Sequence, residues 1–147
     1  MTPSVDDLFV DTNILIYATD SHSPWHQLAR MALANAVAQN IELIISPQII
    51  NEYLSAATRY ALSGGPPLPQ LLAAIAAFRA RFRLIEENDV VISALLSLVQ
   101  TIPMAEKQIH DANIVATMQA HGIHRLLTNN PAHFARFAGL ITIVSLV

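Results

Sequence analysis

Three acids in this chain are spaced so that a fold could bring them together: Asp11, Glu52 and Asp111. Asp11 closes the apolar run Leu8-Phe9-Val10 and is followed by Thr12-Asn13. A carboxylate at the end of a buried strand is partly desolvated and needs a cation or hydrogen-bond donors to stay ionised. Asp11 can equally be the cap of the helix that follows it. Glu52 lies one to two turns into a helix opened by Ser46-Pro47, beside the apolar stripe of Ile49, Ile50, Tyr53 and Leu54. Taken alone it reads as a solvated glutamate. Asp111, within Ile109-His110-Asp111-Ala112-Asn113-Ile114, falls early in a helix, where the macrodipole favours acids. Brought close, three carboxylates repel, and at least one stays protonated at neutral pH unless a divalent cation removes that cost. Oxygen ligands without cysteine suit Mg²⁺ or Mn²⁺ rather than zinc. The histidines offer no helical HxxxH: His22 and His26 are four apart, but Pro24 lies between them, and both read as surface residues.

The elements that must position these acids alternate between short apolar strands and helices. Leu8–Val10, Leu43–Ile45, Arg83–Ile85, Arg125–Leu127 and Ile141–Val144 read as strands. Ser23-Pro24 predicts a helix to about Gln39, with serine as cap and proline in the first turn. Ser46-Pro47 repeats that signal for a helix from Gln48 to about Leu62. Leu68–Ala80, a segment from Asn88 or Asp89 to about Gln100, and Glu106–His121 supply three more, the last stopped by Gly122. Ser63-Gly64-Gly65-Pro66-Pro67 is a loop between helices rather than a domain boundary, and Asn129-Asn130-Pro131 is a turn before a helical piece around Phe134. This alternation argues an α/β fold of three layers, α/β/α, with a central, mostly parallel five-stranded sheet, in one domain over residues 1–147. Ligands in such sheets bind beyond the carboxyl ends of the strands. Asp11, Ser46 and Thr128-Asn129-Asn130 each follow a strand, so all would share that edge. Asp111 must begin its helix near them for a common site to form.

Composition narrows the function. The chain of 147 residues is 53% hydrophobic and 13% charged, against roughly 25% charged in ordinary globular chains. Its apolar stretches, such as Leu71–Phe78 and Val90–Val99, are shorter than the ~20 residues of a spanning helix. Met1–Asp7 carries two acids and no base, unlike a signal peptide. These features, with no cysteine, fit a cytoplasmic protein whose surplus apolar surface is covered by a partner chain rather than a membrane. A net charge of −3 gives no general affinity for nucleic acid, which would need a local basic patch. Arg79, Arg81 and Arg83 form the one local cluster, which reads first as a solvated helix end. An aspartyl phosphotransferase of the haloacid dehalogenase type also begins strand–Asp, but its second Asp two residues on is Asn13 here, and Lys107 is the sole lysine.

Val10-Asp11-Thr12-Asn13-Ile14-Leu15, Asn51-Glu52-Tyr53, His110-Asp111-Ala112 and Leu127-Thr128-Asn129-Asn130 resemble, in order, the four motifs of the PIN domain. They look most like those of VapC-type toxins of bacterial toxin–antitoxin pairs, and the resemblance runs from Leu8 to Val144. It implies a Mg²⁺- or Mn²⁺-dependent endoribonuclease that cleaves a structured or stable RNA with a metal-activated water. It also implies a homodimer and a cognate antitoxin. Asp11, Glu52 and Asp111 match the family's acidic, metal-holding positions; Thr12, Asn13, Ser46, Thr128 and Asn130 would be the polar neighbours. The departure is Asn130, with Asn129 beside it, where many members carry a fourth acid. An amide adds no charge, which weakens a second metal position. A non-catalytic PIN-like module that binds RNA or protein is the alternative.

Overall fold

A computed structural model describes residues 7–147. The reading of Met1–Asp7 therefore falls, apart from Asp7, outside the described residues. The elements run β1 (Leu8–Val10), α1 (Thr12–Thr19), α2 (His26–Ala38), β2 (Leu43–Ile45), α3 (Pro47–Ala61), α4 (Leu68–Arg81), β3 (Arg83–Leu84), α5 (Asp89–Thr101), α6 (Lys107–Ala120), β4 (Arg125–Thr128), a short 3-10 helix (Pro131–Phe137) and β5 (Thr142–Ser145).

The five strands form one sheet in the order β3-β2-β1-β4-β5. Every pairing is parallel, so the expected, mostly parallel sheet is wholly so. β1, β2 and most of β4 are buried on both faces, which is why they read as unbroken aliphatic runs. β3 is exposed and only two residues long, as suits an edge. The strand order reverses between β1 and β4. Connections before that point lead outward one way and later ones the other, so right-handed crossovers put their helices on opposite faces. α1 accordingly packs on α2 and α3, and α3 on α4, while α5 lies along α6 and α6 meets the 3-10 helix. Phe9, Val10, Ile14, Leu15, Ile44, Ile45, Ile49, Ile114, Val115 and Leu126 close the core between these layers.

Two helix starts differ from expectation. α2 begins at His26, not Pro24, because Ser23 closes a turn of its own: its hydroxyl accepts from the Trp25 N–H and its carbonyl from the His26 N–H. Ser46 and Pro47 do open α3, but the Ser46 hydroxyl caps nothing; the Gln48 N–H donates instead to the Glu87 carboxylate at 2.9 Å. Asn88 caps α5 through Val90 and Val91 as expected, and Gly122 ends α6 with φ 68°. No helix among the described residues is long and apolar enough to cross a membrane. Instead, Ile92, Leu96 and Val99 on α5 and Leu28 and Met31 on α2 leave apolar side chains in solvent.

Candidate active site at the carboxyl edge of the sheet

Asp11 stands at the switch point between β1 and β4. Its own N–H donates to the Leu127 carbonyl at 3.0 Å, continuing the ladder for one more residue. Its carboxylate is buried, and both oxygens accept hydrogen bonds. Oδ1 accepts from the Thr12 N–H at 2.8 Å, so Asp11 caps α1. Oδ2 accepts from the Thr128 hydroxyl at 2.8 Å and from Asn13 Nδ2 at 3.3 Å. The cap and site readings of Asp11 are thus compatible in one side chain. Asn13 also accepts from the Asn129 N–H at 3.2 Å, and the Asn130 N–H donates to the Thr128 hydroxyl at 3.0 Å. The turn after β4 is therefore tied to the start of α1.

Glu52 reaches the same edge from α3. The Thr12 hydroxyl donates to its Oε1 at 2.8 Å, and Gln48 Nε2 donates to its Oε2 at 3.1 Å. Gln48 in turn joins α3 to α6. Its amide also donates to the His110 carbonyl at 2.8 Å, and its Oε1 accepts from Asn113 Nδ2 at 2.7 Å. Asn113 donates as well to Glu87 Oε1 at 2.8 Å. Asp111, half-buried on α6, accepts no hydrogen bond from any described residue.

The electrostatics join the three acids. Burial pushes Asp11 up to about 6, opposed by the bonds from Thr128 and Thr12 and reinforced by the charges of Glu52 and Asp111. Burial and Glu52 raise Asp111 too, while His133, His110 and Arg136 hold it down. The structure therefore brings Asp11, Glu52 and Asp111 within mutual electrostatic reach, with Thr12, Asn13 and Thr128 bonded among them. Ser46 follows β2 on the same edge, its hydroxyl fully buried and without a partner among the described residues. Asn130 contributes its backbone N–H, while its side chain is exposed.

Oxygen donors of this kind fit a hard divalent cation, and an acid pushed to about 6 by burial and like charge is a position that such a cation would relieve. Among the described residues no three His, Asp or Glu side chains converge as a ready ligand set.

Basic side chains not apparent as a group in the sequence flank Glu52 and Asp111. A cleft of about 590 Å³ is lined by Glu52, Lys107, Gln108, His110, Asp111, Ala132, His133 and Arg136. His133 and Arg136 are three apart on a 3-10 helix, where side chains at that spacing eclipse, so both face α6. The spacing behind Pro131 was the available signal. Arg79, Arg81 and Arg83 are exposed around the start of β3; Arg79 lines a cavity with Pro47 and Asn51, and Arg83 pairs with Glu42 at 3.7 Å. His22 is at the surface as expected, but His26 is half-buried, with Nδ1 donating to the Tyr17 carbonyl at 2.8 Å.

The PIN-domain family model matches residues 8–140, a span that takes in all of these groups. The chain belongs to the PIN-domain family. No curated protein sequence matches it. Among solved structures, this PIN domain is similar to the VapBC-1 structure from nontypeable Haemophilus influenzae, with 20% identity over 95% of this chain and 98% of the other, and a TM-score of 0.69. A toxin–antitoxin complex from Klebsiella pneumoniae is similar at 25% identity over the same shares, with a TM-score of 0.67. The sarcin–ricin-loop-cleaving toxin VapC20 of Mycobacterium tuberculosis is similar at 20% identity over 81% of this chain and 86% of that one, with a TM-score of 0.64. The PIN-like, three-layer fold expected from the sequence is thus the fold observed, and its structural neighbours include VapBC toxin–antitoxin structures.

Proposed function

We propose that this chain is a Mg²⁺- or Mn²⁺-dependent endoribonuclease, the toxin of a type II toxin–antitoxin pair, acting as one domain over residues 1–147. The observation that carries this reading is Asp11: it is buried at the switch point, and burial and two neighbouring acids push it to about 6. Asp11 and Asp111 would hold the metal, directly or through water. A bound divalent ion supplies charge that lowers the pKa of a water and stabilises the phosphoryl oxygens. Glu52 would complete the shell or orient the attacking water as its base. Thr12, Gln48 and Thr128 fix the carboxylates that do this, while Lys107, His133 and Arg136 would draw the RNA backbone into the cleft. The similarity to a toxin described as cleaving the sarcin–ricin loop supports a structured, stable RNA as substrate. The exposed apolar residues of α2 and α5 support a cognate antitoxin and a second copy of the chain as partners.

Incubating total RNA with the purified protein and Mg²⁺ or Mn²⁺ tests the reading. Wild type is expected to cut and Asp11→Asn to be inert; equal cutting by both would sink it. The exposed Asn130 in place of a fourth acid, and the lack of a converged ligand set, favour a second reading as a non-catalytic binding module. A Mn²⁺ titration separates the two, because a binder takes up no metal through Asp11 and cuts nothing.

A further inference from the structure

α1 carries Asn13 and Tyr17 on one face, a single turn of about 5.4 Å apart. Asn13 bonds Asp11 and the Asn129 backbone, and Asn129 Nδ2 lies 3.5 Å from the Tyr17 hydroxyl. A continuous chain of polar contacts thus runs from the buried acid to the Tyr17 ring. Against that ring stands Trp25, with centroids 5.1 Å apart and planes inclined by 38°. Trp25 precedes α2 without capping it and is 36% exposed. Part of the indole surface is thus open to solvent beside its aromatic neighbour. The pair is also held firmly. His26 Nδ1 bonds the Tyr17 carbonyl, and the turns Asp20–Ser23 and Ser23–His26 brace the segment between the rings.

We infer that Trp25 and Tyr17 form a stacking platform for one unpaired RNA base next to the phosphodiester that is cleaved. The inference rests on the ribonuclease reading. Sequence-specific proteins read RNA through unpaired bases splayed onto aromatic side chains, and one such stack is worth about 1–3 kcal/mol on alanine substitution. The platform takes a base of any identity by its face, so it selects an unpaired strand beside the scissile bond rather than a sequence.

Trp25 is the sole tryptophan, so its fluorescence reports this site alone. The Asp11→Asn protein with Mg²⁺ is titrated with a short labelled single-stranded RNA, following tryptophan emission and label anisotropy together. The expected result is quenching that tracks binding, weak quenching by the same sequence as a duplex, and loss of quenching when one nucleotide is made abasic. Trp25→Ala should weaken binding about fivefold to a hundredfold, and Trp25→Phe should restore most of it. Binding without quenching, or quenching indifferent to every abasic position, overturns the platform alone. No binding by anisotropy overturns the RNA reading and the platform with it.

Discussion

Asp11 and Asp111 are both carboxylates that burial makes weaker acids, and they face each other across the same edge, yet the fold holds them by opposite means. Asp11 accepts from a backbone N–H, a hydroxyl and an amide, and caps the helix that it opens. Asp111 accepts nothing from the described residues; His133, His110 and Arg136 hold its pKa down through space. The helix starts differ in the same sense. α1 begins on a side-chain cap, whereas α6 begins at Glu106 with φ 53° and no cap. One acid is fixed in place and the other is left open beside a cleft. Directed hydrogen bonds suit a group that must not move, and diffuse charge suits one that must meet an arriving ligand.

Removing either acid should break this comparison most severely. Asp11→Asn and Asp111→Asn are both expected to reduce RNA cleavage to background, and both should change the pH dependence of folding, because burial raises both carboxyls. The folded pKa of Asp11 lies above its usual 3.8, so the folded chain takes up that proton more readily than the unfolded one. The stability gained is full below about 3.8 and is lost as pH rises through about 6, a difference of roughly 3 kcal/mol. In EDTA, wild-type melting temperature should fall over that window, Asp11→Asn should remove that part of the fall, and Mn²⁺ should restore stability at neutral pH. Identical melting profiles for wild type and Asp11→Asn would contradict the burial argument.

Next in size is the bridge behind Glu52. Asn113→Ala removes one amide that serves both Gln48 and Glu87, leaving two half-buried acceptors without it at about 1 kcal/mol. Groups that orient a ligating carboxylate usually matter by about 10–100-fold in activity or metal affinity. Denaturant titration and cleavage rate should therefore fall together. Smaller again is Arg136→Ala, expected to weaken RNA binding evenly across sequences and to lower the slope of log affinity against log salt by about 1. Arg81→Ala, on the far side of the sheet, should leave that slope unchanged. The smallest effect is Glu106→Gly, which should raise stability by about 1 kcal/mol, since glycine accepts a positive φ without strain. A melting temperature unchanged by that substitution would mean that the turn is not strained.

The same contrast explains what could be read in the sequence. Asp11 announces itself locally: three apolar residues, an acid and a helix start are contiguous, and the sheet rule then selects the edge. Glu52 was marked by its place beside the stripe of α3. Asp111 gave only an early helical position, because what surrounds it comes from Lys107, His133 and Arg136 on two elements. Glu87 was invisible for the same reason. It stabilises the start of α3 from 39 residues away, and no pattern in Ser46-Pro47 shows that a distant carboxylate, rather than the serine hydroxyl, will meet the Gln48 N–H. Ser23-Pro24 suits a tight turn as well as a helix start, so the sequence pattern alone places the start of α2 too early.

The pairing of β1 with β4 has a consequence in time. The hydroxyl that holds Asp11 belongs to Thr128, 117 residues further along the chain, and the wall beside it is β4. A ribosome extends the chain at about 5–20 residues per second, so Asp11 waits several seconds for its partners. Until β4 has emerged, Asp11 has neither its neighbouring strand nor the turn that carries Asn129 and Asn130. The incomplete polypeptide therefore lacks the assembled carboxyl edge, and Asp11 is enclosed only once β4 has been made.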